Sequence, residues 1–116
     1  MANQVQVIGT LKCKETQKVI RFFKERGIQV HFLDLNVKGI SKGELTNISR
    51  SIPLEELLDK DSKEFQKKNL KFMVYDTEQL LLENSLLLKT PVTRSGGKSI
   101  LGFDSGKLSQ LVKELK

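Results

Sequence analysis

Between Val5 and Leu35 the chain reads strand, helix, strand, and no other feature constrains the possible fold as tightly. Val5, Val7 and Ile8 make a short β-branched run after a polar start and end near Gly9, the pattern of a buried strand. From Lys14 the spacing becomes helical. Val19, Ile20, Phe22 and Phe23 fall on an apolar face, and Lys18, Arg21, Lys24 and Glu25 face water. Gly27 follows Arg26 as a candidate C-cap, and a second strand, Ile28 to Leu35, starts at once. Two strands joined through a helix lie parallel, because a tight turn can only reverse the chain. The unit therefore predicts an α/β fold.

The middle of the chain reads differently. Ser41 and Glu44 have the S-x-x-E spacing of a capping box, with Leu45 and Ile48 as a weak apolar face behind it. Pro53 suits the first turn of a further helix with Leu54, Leu57 and Leu58 inward. Asp61 and Glu64 are placed to cap a short helix around Phe65, and Asp76 and Gln79 to cap one carrying Leu80 to Leu82. The alternation of Leu70, Phe72 and Val74 within Asn69 to Tyr75 reads equally as strand or loop. In the last third, Val92 to Arg94 and Lys98 to Leu101 flank Ser95, Gly96 and Gly97 as a hairpin with a glycine turn. Pro91 stands at a strand start, where proline is tolerated. Asp104 or Ser105 caps a final helix with Leu108, Leu111, Val112 and Leu115 inward.

The order β-α-β, helical stretch, β-β-α predicts one domain. Residues 1–40 and 89–116 form a core built on a four-stranded mixed sheet with flanking helices, and residues 41–88 a helical insertion. At 116 residues there is room for one such core. The longest apolar runs, Leu80 to Leu82 and Leu86 to Leu88, fall far short of the roughly 20 residues of a membrane span. The polar N-terminus lacks a signal-peptide core, so a cytoplasmic location without membrane association is expected. Cys13 and His31 are the whole supply of cysteine and histidine, which excludes an internal disulfide and a four-ligand zinc site of those types.

Candidate chemistry centres on Cys13, which falls between the first strand and the first helix. A thiol there meets the free amides and positive end of the helix, and Lys12 and Lys14 flank it. Both influences favour the thiolate, the nucleophilic form. The competing reading is a small residue filling core space, and the charged neighbours Lys12, Lys14 and Glu15 argue against it. Thr16 stands where the second cysteine of a C-x-x-C motif would be. Its hydroxyl either bonds the Cys13 sulfur or is simply a first-turn residue. Without a second cysteine, Cys13 needs an external thiol to release it if it cycles. Of the formal net charge of +6, four units come from the first 30 residues, with six basic and two acidic side chains. That excess reads as a solvated helix face or as a field favouring a thiolate or an anion. Nucleic acid is not expected, since there is no binding motif and little aromatic interleaving.

The order of these features resembles that of the arsenate reductase-like group. The features are a strand leading to Cys13, the βαβ unit, the helical insertion, Pro91-Val92, and Gly97-Lys98-Ser99-Ile100-Leu101-Gly102-Phe103. The group includes glutaredoxin-coupled arsenate reductases (ArsC) and the Spx transcription regulators. Leu57-Leu58-Asp59-Lys60-Asp61 followed by Phe65 is similar to the group's insertion motif. Thr90-Pro91, Gly96-Gly97 and Gly102-Phe103-Asp104 are also similar to the glutathione-contacting hairpin of glutaredoxins. The resemblance implies a thioredoxin-like fold with a cis Pro91 beside Cys13, which would be the attacking thiol. Arsenate reductases of this type hold their oxyanion with three arginines. This chain has Asp59-Lys60-Asp61, Thr90 and Ile100 to Phe103 at those places, and its nearby Arg94 is shifted in register. Lysine lacks the planar fork with which arginine grips an oxyanion, so arsenate reduction is expected to be weak or absent.

The resulting expectation is a thiol-dependent oxidoreductase working through catalytic Cys13. Lys12, Lys14, Thr16, Lys60, Thr90, Pro91 and Arg94 make up its thiol- or anion-binding set. Glutathione is the expected co-substrate, glutathione or glutaredoxin the partner, and no bound cofactor or metal is expected. The alternative is an Spx-like regulatory module without turnover, docking on a protein such as RNA polymerase.

Overall fold

The computed structural model describes residues 4–67 and 74–115. Strand β1, Gln4–Gly9, is followed by helix α1, Lys14–Glu25, and strand β2, Gln29–Asp34. Then come the short helices α2, Lys42–Ser49, α3, Leu54–Leu57, α4, Lys63–Lys67, and α5, Thr77–Glu83, with a 3₁₀ turn at Ser85–Leu87. Strands β3, Val92–Ser95, and β4, Lys98–Leu101, precede helix α6, Ser105–Leu115. The sheet has the order β2-β1-β3-β4. β1 and β2 are parallel, as the connecting helix requires, and the pairs β1–β3 and β3–β4 are antiparallel. This is the four-stranded mixed sheet of a thioredoxin-like α/β fold.

Alternation along β1 divides the core in two. Val5 and Val7 point into a cluster with Val19, Phe22 and Phe23 of α1 and Leu108, Leu111 and Val112 of α6. Ile8 and its cross-strand partner Val92 point to the opposite face. There they meet Leu45 and Ile48 of α2, Leu57, Leu58 and Phe65, and Leu81 of α5. Each sheet face is thus covered by helices, and β1 buries Val5 and Val7 on one face and Ile8 on the other.

Local signals set most element ends. Ile28 N–H bonds the Phe23 carbonyl at 2.9 Å and Gly27 N–H the Lys24 carbonyl at 3.1 Å, with Gly27 at φ 74°. That is a complete Schellman motif, in which the left-handed position favours glycine. It moves the start of β2 to Gln29, one residue after the expected Ile28. The Ser41–Glu44 capping box forms with both of its bonds. Pro53 is the cap of α3 rather than part of its first turn. The start of α4 corrects the expectation for Asp61. The Ser62 hydroxyl accepts the Phe65 N–H at 3.2 Å, while Asp61 N–H turns back to Asp59 Oδ1. Asp76 caps α5 by accepting from Gln79 N–H, but the Gln79 side chain reaches forward to Glu83, so the box is one-sided. Asp104 caps α6, accepting from Lys107 N–H at 3.1 Å. Of the ambiguous Asn69 to Tyr75 stretch, Val74 and Tyr75 carry no regular structure, and the rest lies outside the described residues. No helix among the described residues is long and apolar enough to cross a membrane.

Candidate functional site: a thiol at the cap of the first helix

Cys13 is the N-cap of α1, with φ −77° and ψ 115°. Its carbonyl accepts the Gln17 N–H at 3.2 Å, and its own N–H closes the preceding turn onto the Thr10 carbonyl at 3.1 Å. The side chain is half-buried at the end of the helix where the amides have no intrahelical acceptor. From across the sheet, the Thr90 carbonyl lies 3.8 Å from Cys13 Sγ and accepts from the thiol.

Several groups set the acidity of this thiol. Burial is the largest single influence and pushes its pKa up. Against it act the hydroxyls of Thr16 and Thr90 and the backbone N–H groups of Thr16 and Glu15, each of which favours the charged form of the sulfur. Together they outweigh burial, and the thiol lies below its ordinary value of 9.0. Thr16 Oγ1 is buried without a partner among the described residues, so its O–H is free to turn toward a charged sulfur, which favours the thiolate.

Three connections hold the surroundings in place. Gly102 N–H bonds the Pro91 carbonyl at 2.8 Å, and Phe103 N–H reaches the Glu15 carboxylate at 3.4 Å. On the insertion side, Leu58 pairs with Leu88 in an isolated antiparallel bridge. Asp59 N–H donates to the Leu87 carbonyl at 2.8 Å and Lys89 N–H to the Leu57 carbonyl at 2.6 Å. The insertion motif thus braces the residues that lead into Thr90. The Thr90–Pro91 peptide is cis, as the family resemblance implies.

The structure brings Cys13, Thr16, Thr90 and Pro91 together. Lys12 and Lys14 flank the thiol as exposed side chains without an ion-pair partner among the described residues. Lys60 is exposed and pairs with Glu55 at 3.7 Å. Arg94 is not brought to the thiol. It sits opposite Gln6, two register positions from the Ile8–Val92 pair that marks the Cys13 end of the sheet. Its guanidinium is occupied by Gln6, Asn47 at 3.2 Å and Glu44 at 3.9 Å. The shift in register seen in the sequence is therefore a real displacement along β3. Sequence reasoning missed Glu15 as part of the site, and no signal could have found it, because its partner Phe103 is distant in sequence. Among the described residues no three His, Cys, Asp or Glu side chains cluster as metal ligands.

Comparison with known proteins agrees with this architecture. Solved structures similar to the chain include a YffB protein, with TM-score 0.81, 20% identity, and 93% of this chain and 98% of that one covered. An ArsC family-related protein from Bacteroides fragilis matches with TM-score 0.80 at 18% identity, covering 97% of each chain. An arsenate reductase from Vibrio cholerae matches with TM-score 0.77 at 16% identity over the whole of both chains. At such identities the likeness is one of fold. No curated protein matches the chain by sequence. The family model for ArsC matches residues 9–111, a stretch running from the end of β1 through Cys13, the insertion and the hairpin into α6. The chain therefore belongs to the ArsC family.

Proposed function

We propose that the protein is a thiol oxidoreductase that uses Cys13 as its nucleophile and an external thiol as its reductant. The observation that carries this reading is the Cys13 sulfur at the cap of α1, held below its ordinary pKa by Thr16, Thr90 and the first-turn amides. Family membership supports the same reaction class.

The chemistry follows from having one cysteine. The Cys13 thiolate attacks one sulfur of a disulfide substrate. A Cys13 mixed disulfide forms, the substrate S–S bond breaks, and the other half leaves as a thiolate that takes a proton from water. The thiolate of glutathione, free or presented by a glutaredoxin, then attacks the substrate sulfur of the mixed disulfide. Cys13 leaves as a thiolate and a glutathione–substrate disulfide departs. A second glutathione reduces that disulfide, so two thiols are oxidised for each disulfide reduced. Lys12 and Lys14 supply positive charge beside the anionic reductant. A single cycling thiol of this kind fits the reducing cytosol.

The test is intact-mass analysis of the protein incubated with glutathione disulfide. One glutathione adduct at Cys13, released by reduced glutathione with steady turnover of a small disulfide and absent in Cys13→Ser, is the expected result. A folded wild-type protein that forms no adduct at neutral pH would overturn the reading.

A further inference from the structure

We propose that Gly9 is a positioning residue for the Cys13 thiolate, acting through Thr16: the missing side chain at the end of β1 is what lets the Thr16 hydroxyl face the sulfur. The inference rests on the reading that Cys13 works as a thiolate.

Thr16 is fully buried, although it lies on the first turn of an otherwise charged helix segment. It occupies the third helical position after the Cys13 cap, where a side chain reaches back toward the capping residue. Its hydroxyl has no other partner among the described residues. A buried hydroxyl without a partner requires a physical reason, since leaving it unpaired is costly. The reason here is that the acceptor is a charge that exists only part of the time.

What holds Thr16 in this orientation is the backbone of Gly9. A Cβ placed on Gly9 would overlap Thr16 Oγ1, lie 2.8 Å from Thr16 Cγ2 and lie 3.2 Å from Thr16 Cβ. All three contacts are to one side chain. Gly9 does not have the positive φ that favours glycine, so its backbone conformation is open to any residue. It pairs with Asp34 in the sheet, and its carbonyl accepts the Leu35 N–H at 2.9 Å. Glycine weakens a strand, and its presence here is explained by the side chain packed on it. Threonine is β-branched and stiff about χ1, so it cannot escape a new methyl group by a small rotation. It would have to leave its rotamer and carry the hydroxyl away from Cys13.

The experiment measures the pH midpoint of thiolate formation at Cys13, by ultraviolet absorbance and by alkylation rate, together with urea unfolding of each variant. Thr16→Val keeps the shape and removes the hydroxyl. It is expected to raise the midpoint by about one unit, which is about tenfold less thiolate below the midpoint. Thr16→Ser should retain most of the wild-type value. Gly9→Ala is expected to raise the midpoint by a similar amount in the wild-type background. In the Thr16→Ala background it should change nothing further, because the new methyl group enters vacated space. Non-additivity of this kind separates action through Thr16 from a general loss of stability. The proposal is overturned if Gly9→Ala shifts the midpoint equally in both backgrounds, or leaves it unchanged in a folded protein. Should Gly9→Ala alone fail to fold, an unchanged midpoint in Thr16→Val still overturns the proposal. Disulfide turnover is not read here. The expected pattern without turnover would leave this inference standing and remove the proposed function.

Discussion

Cys13 Sγ lies 3.8 Å from the Thr90 carbonyl oxygen, although 77 positions of sequence separate the two residues. The strand order creates this meeting. β3 lies antiparallel beside β1, so its start sits at the end of β1, where the loop to α1 begins. The insertion fixes the approach to Thr90 through the Leu58–Leu88 bridge. Helices that contribute no reacting group thus help to shape the environment of the thiol.

Alkylation of Cys13 will set in below the ordinary thiol range, with its rate rising through a midpoint under 9.0. The linked effect on stability has a definite sign. Folding lowers the thiol pKa, so ionisation adds stability that is complete above about 9.0 and is lost as pH falls through the folded value. Wild type minus Cys13→Ser, measured by urea unfolding from pH 6 to 10, should therefore increase with pH. Alkylation that rises only near the free-thiol midpoint would contradict the site described above.

Arsenate reductase activity should be weak or absent. Thr90 stands where the family resemblance calls for an arginine, Lys60 is paired with Glu55, and Arg94 is held by Gln6, Asn47 and Glu44. Each missing charge-assisted contact costs about 1.5–3 kcal/mol, or roughly tenfold to a hundredfold in affinity. A coupled assay with glutaredoxin, glutathione and arsenate, run beside a genuine arsenate reductase, checks this. Turnover equal to that control, and lost in Cys13→Ser, would mean that other donors hold the anion.

Acid sensitivity should involve Glu44. Burial raises its pKa, but Ser41 N–H, the Gln6 amide, the Ser41 hydroxyl and the Arg94 charge together hold it below 4.5. Stability from this carboxylate is present above that value and is lost as pH falls through the lowered folded one. Glu44→Gln should lower stability at pH 7 and make it less dependent on pH between about 5 and 3, as read by urea midpoints.

Two glycines should respond to alanine with opposite signs. At Gly27 nothing crowds a new Cβ, but φ is 74°, and Gly27→Ala should cost about 1–2 kcal/mol. At Gly43, in the first turn of α2, a Cβ also meets nothing and φ is not in the left-handed region. Gly43→Ala should stabilise by about 0.5 kcal/mol, because alanine loses less entropy in a helix. Equilibrium unfolding of both variants decides the matter, and equal signs would show that packing rather than backbone conformation governs one of them.

The candidate site was only partly legible in the sequence. Cys13 stood out because it falls at a strand-to-helix junction between two lysines, which is a local feature. The one-residue error in the α4 cap arose because Asp61 and Ser62 are both good caps, and which of them points at a free amide depends on the turn anchored by Asp59. Thr16 stayed undecided because its surroundings depend on Gly9, and nothing in the spacing of the two shows that the helix packs that side chain against the strand end. Arg94 is close to Pro91 in sequence, which makes it a candidate for the binding set. Along a strand, however, each residue advances about 3.3 Å, so a few positions carry a side chain out of reach.

Local patterns are enough to give the elements and their class. Apolar period, capping residues and turn glycines act over a few positions, and so the βαβ unit, the hairpin and the last helix could be read directly. How distant groups meet around Cys13, and which of the candidates stay away, depends on the assembled fold. Thr90 reaches the sulfur through strand order, Glu15 meets Phe103 through the loop after β4, and Arg94 is drawn to Glu44 by the docking of α2. Burial, hydrogen bonding and charge at a site depend on distance through space, and chain position carries that information only over short separations.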